Sequence, residues 1–297
     1  MFALGLAFGS FLNVCIYRMP LDLSVVSPGS ACPHCKHEVR FYDNVPVLSW
    51  LILRGRCRDC KAPISPRYLV IELVTALLFL GCYWHFGYTL AMVKYCAFGF
   101  LLLGLIFTDA ETFLLPDKLT LTGLALGIVF SLLVPVNDLA TQMLNNASLP
   151  LSSDLSWRLF SLLDSVVGAI VGASFIYGAG AIYLRARGIE GMGFGDVKLM
   201  AMVGAFLGLK LTIFTIFAAS IAGSLFGVAT LLAVWRKRTR RRIAHHQPAS
   251  DARKRAWESA MIALRRHQMP FGVFLGGMAI LALFFGNSFL QWYWRLL

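Results

Sequence analysis

The stretch Tyr95-Cys-Ala-Phe-Gly-Phe-Leu-Leu-Leu-Gly-Leu-Ile-Phe-Thr-Asp109 decides the fold class of this chain. Nearly every residue in it is apolar until the run ends in an acid. A continuous apolar run is typical of a helix that crosses a bilayer, because a β-barrel strand would alternate apolar and polar residues. Similar runs return along the 297 residues, of which 58% are hydrophobic and only 14% charged. We therefore expect an all-α polytopic membrane protein.

Eight apolar segments have the composition of membrane spans. We place the spans at residues 1–17, 69–86, 91–108, 119–136, 159–184, 197–209, 211–235 and 271–290. The span at 197–209 is short, and Lys210 nearly separates it from the next, so this region can also be one broken helix pair. The sequence thus predicts about eight transmembrane helices. It also predicts three domains: a first helix at 1–17, a polar insert at 18–68 and a multi-helix membrane domain at 69–297.

The positive charge of the chain follows from membrane orientation rather than from a nucleic-acid partner. The net charge is +12, from 27 Lys and Arg against 15 Asp and Glu. With the amino terminus outside, 23 of these 27 cations fall in the segments that become cytoplasmic: 18–68, 109–118, 185–196 with Lys198, and 236–270. This asymmetry is the positive-inside rule. We expect contact with a lipid bilayer and its anionic headgroups, and no nucleic acid.

The insert carries two cysteine pairs with the spacing of a zinc site. They are Cys32-Pro-His-Cys35 and Cys57-Arg-Asp-Cys60, 21 residues apart. Two C-x-x-C pairs at this separation suit a tetrahedral zinc ion. Two disulfides are the alternative, but the charge distribution places the insert in the reducing cytoplasm, where disulfides are rare. A site of four thiolates leaves no position for water, so we expect the zinc to be structural.

Two aspartates at the membrane edge are the candidate catalytic residues. Asp109 follows Leu105-Ile106-Phe107, and Asp196 follows the glycine-rich stretch Gly191-Met-Gly-Phe-Gly195. The span count puts both on the same face, and acids beside lipid are seldom kept without a use. From the residues alone, three roles stay open: an aspartyl-protease pair, a conduction path for a substrate or ions, and structural pairing with Lys or Arg.

Other acids and the long basic segment have less specific interpretations. Asp117 follows Pro116 and precedes a helix, which predicts a capping role. Glu72 and Asp164 lie in other spans, and we expect them to be paired or near an interface. Residues 236–270 begin with two clusters of Arg and Lys and continue with Trp257, Met261 and Leu264 at helical spacing. This last stretch forms either an amphipathic helix on the cytoplasmic leaflet or a disordered basic loop.

Several motifs along the chain resemble those of the prepilin leader peptidases, the GxGD membrane aspartyl proteases of type IV pilus and type II secretion systems. The matching stretches are Gly9-Ser-Phe-Leu-Asn-Val14 with Arg18-Met-Pro20, the cysteine pairs, Asp43-Asn-Val-Pro-Val-Leu-Ser-Trp50, Arg54-Gly-Arg-Cys57, Ile64-Ser-Pro-Arg-Tyr68, Thr108-Asp109, Leu114-Leu-Pro-Asp117, Gly193-Phe-Gly-Asp196 and Pro270-Phe-Gly272. The chain departs from the family pattern in two respects. The segments at 137–157 and 236–268 are long, and Leu69 stands where a proline is common.

The resemblance implies a function and a location. It implies that Asp109 and Asp196 are the catalytic pair of an endopeptidase that removes leader peptides from prepilins or pseudopilins on the cytoplasmic side of the bacterial inner membrane. It also implies methylation of the new amino terminus with S-adenosylmethionine as methyl donor, for which no binding residue can be named. A zinc-stabilised transporter that uses the paired aspartates for proton coupling is the alternative.

Overall fold

A computed structural model describes residues 1–135, 153–188, 193–244, 248–266 and 270–295, and in these ranges the chain is helical with no β-strand. The longer helices are α1 (Phe2–Arg18), α3 (Arg67–Phe86), α4 (Leu90–Thr112), α5 (Asp117–Leu133), α6 (Ser153–Arg187), α7 (Phe194–Ala244), α8 (Ala249–Arg266) and α9 (Phe271–Leu281). A short helix α2 (Leu48–Ile52) lies in the insert, and α9 continues through a wide turn at Ala282–Gly286 into α10 (Asn287–Trp294).

Six helical stretches among the described residues are long and apolar enough to cross a membrane, which supports the membrane class. They are Phe2–Leu21, Arg67–Phe86, Leu90–Thr112, Ser156–Arg187, Phe194–Ile243 and Phe271–Trp294. Helix α5 has 17 residues, close to the usual minimum for a span. The stretch Phe194–Ile243 is 50 residues long and contains a break. Span 119–136 of the sequence prediction ends one residue beyond the described range 1–135, in which α5 ends at Leu133.

The break in α7 lies at Gly208, whose backbone has φ 77° and ψ 178°. L-residues with a side chain rarely adopt this conformation, so glycine is needed at this turn. The break divides α7 into a first half at 194–207 and a second half at 209–244. The sequence interpretation as a broken helix pair is therefore correct for this region. The first half is about 20 Å long at 1.5 Å per residue, which is short for a bilayer core.

Helix α4 lies at the centre of the bundle. Its side chains at Phe98, Leu102 and Leu105 are almost completely buried. Small residues allow the other helices to approach closely, as is common between membrane helices. A Cβ added to Gly9 of α1, for example, would lie 2.7 Å from the Cα of Glu72 in α3. Close packing of this kind places the helix ends with Asp109 and Asp196 at the end of the bundle that bears the insert.

The basic segment after α7 is helical where the structure describes it. Helix α8 folds back along the second half of α7, with Ala252, Ala256 and Ala260 buried in the contact. The indole N–H of Trp235 donates to the carbonyl of Arg253 over 3.2 Å. Of the two sequence alternatives, a helix is therefore correct. The face of α8 that packs on α7 consists of these alanines. The side chain of Leu264 lies outside the described residues.

Candidate active site

The side chains of Asp109 and Asp196 converge at one point beside Gly272. Asp109 lies in the last turn of α4, Asp196 in the first turn of α7, and Gly272 in the first turn of α9. A Cβ placed on Gly272 would lie 2.8 Å from Oδ2 of Asp109 and 3.4 Å from Oδ1 of Asp196. A single small group at this point would therefore contact both carboxylates. The structure brings together the two acids that the sequence singled out.

Both acids are buried, with 5% of Asp109 and 8% of Asp196 exposed. The amide N–H of Val273 donates to Oδ2 of Asp109 over 3.1 Å. This N–H belongs to the first turn of α9, where amide groups have no partner within their own helix. The helix N-terminus also carries a partial positive charge that favours an acid beside it. Helix α9 thus holds the Asp109 carboxylate in place through its backbone.

The glycines before Asp196 let this segment pack against the start of α5. A Cβ on Gly195 would lie 2.9 Å from the Cβ of Leu115, so a larger residue would displace the segment that carries Asp196. The two acids open onto a pocket of about 420 Å³. Its lining is mixed, with the polar residues Asp117 and Lys198 beside the apolar residues Leu115, Phe194 and Phe271. A peptide segment can enter such a space with access to both carboxylates.

Asp117 has a different role from the capping role that its position predicts. It is the first residue of α5, Pro116 precedes it, and no side chain makes a capping hydrogen bond at this helix start. Instead, Nζ of Lys198 donates to Oδ1 of Asp117 over 2.6 Å. The capping prediction is wrong, because the approach of α7 supplies a cation that no local pattern shows. The pair ties the start of α5 to the helix that carries Asp196.

The four insert cysteines form a second cluster with the geometry of a metal site. The sulfur atoms of Cys32, Cys35, Cys57 and Cys60 all lie within 4.8 Å of one another. The separations are 3.8 Å between Cys32 and Cys60 and 4.0 Å between Cys35 and Cys57. A tetrahedral ion with zinc–sulfur bonds of 2.3 Å needs sulfur atoms about 3.8 Å apart. The donor set therefore fits zinc in both chemistry and spacing.

Each cysteine pair lies in a turn of the same form. The amide of Cys32 donates to the carbonyl of His37, and the amide of Cys57 donates to the carbonyl of Ala62. The residue after each second cysteine, Lys36 or Lys61, has a positive φ, of 61° and 58° respectively. These tight turns direct two sulfur atoms to one side. His34 and His37 are not part of the cluster of ligand atoms.

A charged contact holds the two halves of the insert together. The guanidinium of Arg58 binds both carboxylate oxygens of Asp43, over 2.7 Å and 2.5 Å. These hydrogen bonds lower the pKa of Asp43 below its ordinary value. Tyr42 lies beside the pair, with the Arg58 guanidinium 5.5 Å from its ring centre. The contact stabilises the insert above the ordinary pKa of an aspartate, and this stabilisation is lost as the pH falls through the lowered value.

Glu72 attaches the insert to the membrane helices. Its Oε2 accepts a hydrogen bond of 2.7 Å from the amide of Val47, and the glutamate is 7% exposed. Val47 has φ 63°, which is a strained conformation for a β-branched residue. Asn13 of α1 reinforces the same junction by donating to the carbonyl of Tyr68 over 3.2 Å. The expectation that Glu72 is paired holds, with a backbone amide as the partner.

Two further ion pairs connect the insert end with the helices beside the aspartates. Arg67, at the start of α3, pairs with Glu111, two residues after Asp109. Lys118 of α5 binds Asp22 over 3.0 Å. These surface pairs contribute little stability individually. They show that the insert borders the mouth of the aspartate pocket.

The role of Gly272 is not visible in the sequence, where this residue is only the end of the motif Pro270-Phe-Gly272. Its position beside both acids depends on the packing of α9 against α4 and α7, which no local pattern encodes. The sequence signal for this role is Pro270, a residue type common where helices begin, followed by Gly272 at the start of an apolar run. The glycine leaves space beside the first turn of the helix. Val273 acts through its backbone, which leaves no signal in the sequence.

Two family models match the chain and together extend over most of it. The Bacterial Peptidase A24 N-terminal domain matches residues 3–86. The Type IV leader peptidase family matches residues 96–228, which include Asp109 and Asp196. No solved structure matches the chain.

Several curated relatives are similar over nearly the whole chain, and each is called a prepilin leader peptidase/N-methyltransferase. The protein from Myxococcus xanthus is 39% identical over 85% of this chain and 68% of its own length. The protein from Burkholderia pseudomallei is 34% identical over 96% of this chain and 84% of its own. The protein from Aeromonas hydrophila is 31% identical, with shares of 98% and 92%. None of these relatives is named a transporter, so the transport alternative has no support from them.

Proposed function

This chain belongs to the prepilin leader peptidase family, and from this membership and the geometry at Gly272 we propose that it is a membrane-embedded aspartyl endopeptidase that removes leader peptides from type IV prepilins or type II secretion pseudopilins. The observation that carries the proposal is the convergence of Asp109 and Asp196 on one buried point. A dyad of this kind provides a proton acceptor and a proton donor at one site.

The mechanism assigns one water molecule and two complementary roles to the acids. Asp109 and Asp196 hold the water between them, and the ionised carboxylate takes its proton as the water attacks the scissile carbonyl carbon. The protonated carboxyl donates a hydrogen bond to the carbonyl oxygen, and the pair then protonates the leaving amine. Both acids share the proton of the pair, so the charge is not assigned to either residue. The Val273 amide keeps Asp109 oriented during these steps.

The zinc ion in this proposal is structural. Cys32, Cys35, Cys57 and Cys60 would hold it, and all four thiolates would fill its coordination shell. A bound ion gives a core to an insert at 18–68 that is too small to bury one unaided. The ion takes no part in hydrolysis. Its effect on the site is to fix the shape of the domain that Glu72 holds against α1 and α3.

The proposed topology has eight crossings in the bacterial inner membrane, with the insert and the aspartates facing the cytoplasm. Five crossings are the candidate spans other than α7, and α5 and the two halves of α7 supply the other three. We retain the division into a first helix at 1–17, the insert at 18–68 and the protease domain at 69–297. Hydrolysis needs water, and the positive-inside charge distribution supports a cytoplasmic site. The apolar segment of the substrate would enter from within the bilayer.

Methylation of the new amino terminus with S-adenosylmethionine is the second proposed activity. The support is the double name of the relatives. The two aspartates serve hydrolysis, so methyl transfer needs a different surface. The insert and the adjoining helix ends form the large polar region beside the aspartate pocket, and they are the candidate location.

Incubation of purified protein with a prepilin tests the proposed function. Wild-type protein should produce a shortened product, lighter than the prepilin by the mass of the leader peptide. Asp196→Ala should produce none. A matched preparation of Asp251→Ala, with the change in the distant helix α8, should cleave at the wild-type rate. Cleavage by Asp196→Ala at that rate, or the absence of any shortened product with wild-type protein, would refute the proposal.

A further inference from the structure

Helices α3 and α9 both pack on α4, and they approach each other at the end that is far from the aspartates. There the rings of His85 in α3 and Phe284 in the continuation of α9 lie 6.0 Å apart. A Cβ on Gly81 of α3 would lie 3.5 Å from the same phenylalanine ring, at an ordinary contact distance. The two helices therefore meet beside the far end of α4.

At the aspartate end, the same two helices contact different sides of α4. Arg67 at the start of α3 pairs with Glu111. A Cβ on Gly276 of α9 would lie 2.6 Å from Cγ1 of Ile106. Glu111 and Ile106 are five residues apart, which places them about 140° apart around α4 at 3.6 residues per turn. Helices α3 and α9 thus form a V that opens toward Asp109.

The space inside this V is an apolar groove, which we call the α3–α9 cleft. Its volume is about 540 Å³, and it is lined by Val74, Leu77, Gly81, Trp84, Ile280 and Phe284, among others. Leu103 of α4 forms its floor. Phe107 and Ala110 lie on the same face of α4, at helical spacing from Leu103. Ala110 is exposed, so the cleft stays open beside Asp109.

The wall that α9 contributes to the cleft leads to the aspartates. Val273, Ile280 and Phe284 lie on one side of this helix, since they are seven and four residues apart. The amide of Val273 is the hydrogen-bond donor to Asp109. Ile280 lies about 12 Å and Phe284 about 18 Å along the helix from Gly272, at 1.5 Å per residue. The cleft is therefore continuous with the catalytic site.

We propose that the α3–α9 cleft receives the apolar helix of the substrate, an inference that rests on the proposed function. A helix with its side chains is about 10 Å wide, which suits a gap between two splayed helices better than a single acyl chain does. Gly81 lets a helix approach α3 closely, as small residues do between membrane helices. The scissile bond then lies at Asp109 and Asp196, and the leader continues toward water.

The depth of the cleft predicts which substrate residues it contacts. Gly81 lies beside Phe284, about 18 Å from Gly272, so it should contact a helical substrate about twelve residues after the scissile bond. Leu77 lies one turn nearer to the aspartates and should contact the residue about eight positions after that bond.

Cross-linking to an uncleaved substrate tests this inference without turnover. Leu77→Cys is introduced into the full-length Asp196→Asn protein in lipid nanodiscs. It is mixed with a prepilin that carries a single cysteine at successive positions of its apolar segment. Oxidation and mass spectrometry then give the cross-link yield at each position. Leu126→Cys is the matched control, because Leu126 lies at a similar depth on α5, and the two leucines are 59% and 40% exposed respectively.

The expected result is a maximum of yield for Leu77→Cys with a prepilin cysteine about eight residues after the scissile bond. This yield should exceed that of Leu126→Cys at least about tenfold, because docking raises the local concentration of the two thiols. Equal yields at the two positions overturn the inference. So does a disulfide between two copies of the Leu77→Cys protein that excludes the prepilin, which would assign the cleft to a second copy. If lipid alone fills the cleft, Leu77→Cys gives no cross-link, and the inference is wrong.

A second measurement fills the cleft in the active protein. Gly81→Trp places an indole where the substrate helix would lie, and it should raise KM for a prepilin at least about tenfold, as expected from overpacking a close interface. The kcat under saturating prepilin should stay near wild type, because the aspartates are not displaced. Leu126→Trp should leave KM unchanged.

An unchanged KM in Gly81→Trp contradicts the inference. A purely structural role of Gly81 would instead lower kcat and the unfolding temperature together. Cross-links as expected without any cleavage by wild-type protein refute the proposed function alone. Cleavage by wild-type protein without a cross-link at Leu77→Cys refutes the role of the cleft alone.

Discussion

A methyl group on Gly272 should disable the aspartate pair without unfolding the protein. In Gly272→Ala, the added Cβ would lie 2.8 Å from Oδ2 and 3.2 Å from Cγ of Asp109, and 3.4 Å from Oδ1 of Asp196. Carbon and oxygen do not approach to 2.8 Å without a displacement, so the Asp109 side chain must move. Movement also weakens its 3.1 Å hydrogen bond from Val273. Alanine is otherwise favourable in a helix, by about 1 kcal/mol relative to glycine.

The displacement determines the magnitude of the effect. A catalytic group moved by about 1 Å loses about 100-fold in rate, which corresponds to about 2.7 kcal/mol of activation free energy. The assay is cleavage of a purified prepilin under saturating substrate, followed by the mass of the shortened product. We expect kcat to fall about 100-fold and the unfolding temperature to stay within a few degrees of wild type.

Gly277→Ala is the matched control, because it lies on the same helix and a Cβ there would meet no atom within 4 Å. It should retain wild-type kcat. The reasoning is refuted if Gly272→Ala cleaves as fast as Gly277→Ala, because the added methyl group would then have room that the structure does not show.

Three further changes test other parts of the structure. Cys32→Ser should reduce the zinc content from one ion per chain, measured by metal analysis of purified protein, and a metal-free wild type that is folded and fully active would contradict the zinc site. Glu72→Ala should expose the Val47 amide to hydrogen exchange at least about tenfold faster, with Glu258→Ala in α8 as control and an unchanged rate as the contrary result. Asp196→Ala should still methylate a mature peptide that has a free amino terminus, measured by transfer of a labelled methyl group from S-adenosylmethionine; loss of transfer in this variant would indicate that the two activities share one site or that this chain lacks the second.

The acids and the cysteines could be predicted from the sequence because their signals are local. The two C-x-x-C pairs have the spacing typical of zinc ligands. The structure brings their four sulfur atoms within 4.8 Å of one another. Asp109 and Asp196 each end or begin an apolar run, and both helix ends lie at the insert end of the bundle. An apolar run of about 20 residues leaves few choices other than a helix across a bilayer.

The contacts around these residues could not be predicted, because they depend on which helices are neighbours. Gly272 lies beside both acids only because α9 packs against α4 and α7. The pairing of Asp117 with Lys198 replaced the expected helix cap for the same reason. The hydrogen bond from the Leu209 amide to Asp164 requires the break at Gly208, of which the sequence shows only the short span and Lys210 after it. Packing between membrane helices rests on small residues and backbone contacts, which leave weak patterns.

The most direct test of the central claim is the cleavage rate of Asp109→Asn and Asp196→Asn. Asparagine keeps the shape of each side chain and removes its acid, so both variants should insert and fold. Glu111→Gln is the control, because this acid lies two residues after Asp109 and pairs with Arg67 at the surface. We expect each asparagine variant to lose at least about 100-fold in kcat while the control keeps wild-type activity. Turnover above about a tenth of wild type in either asparagine variant would remove that residue from the pair and contradict the proposed mechanism.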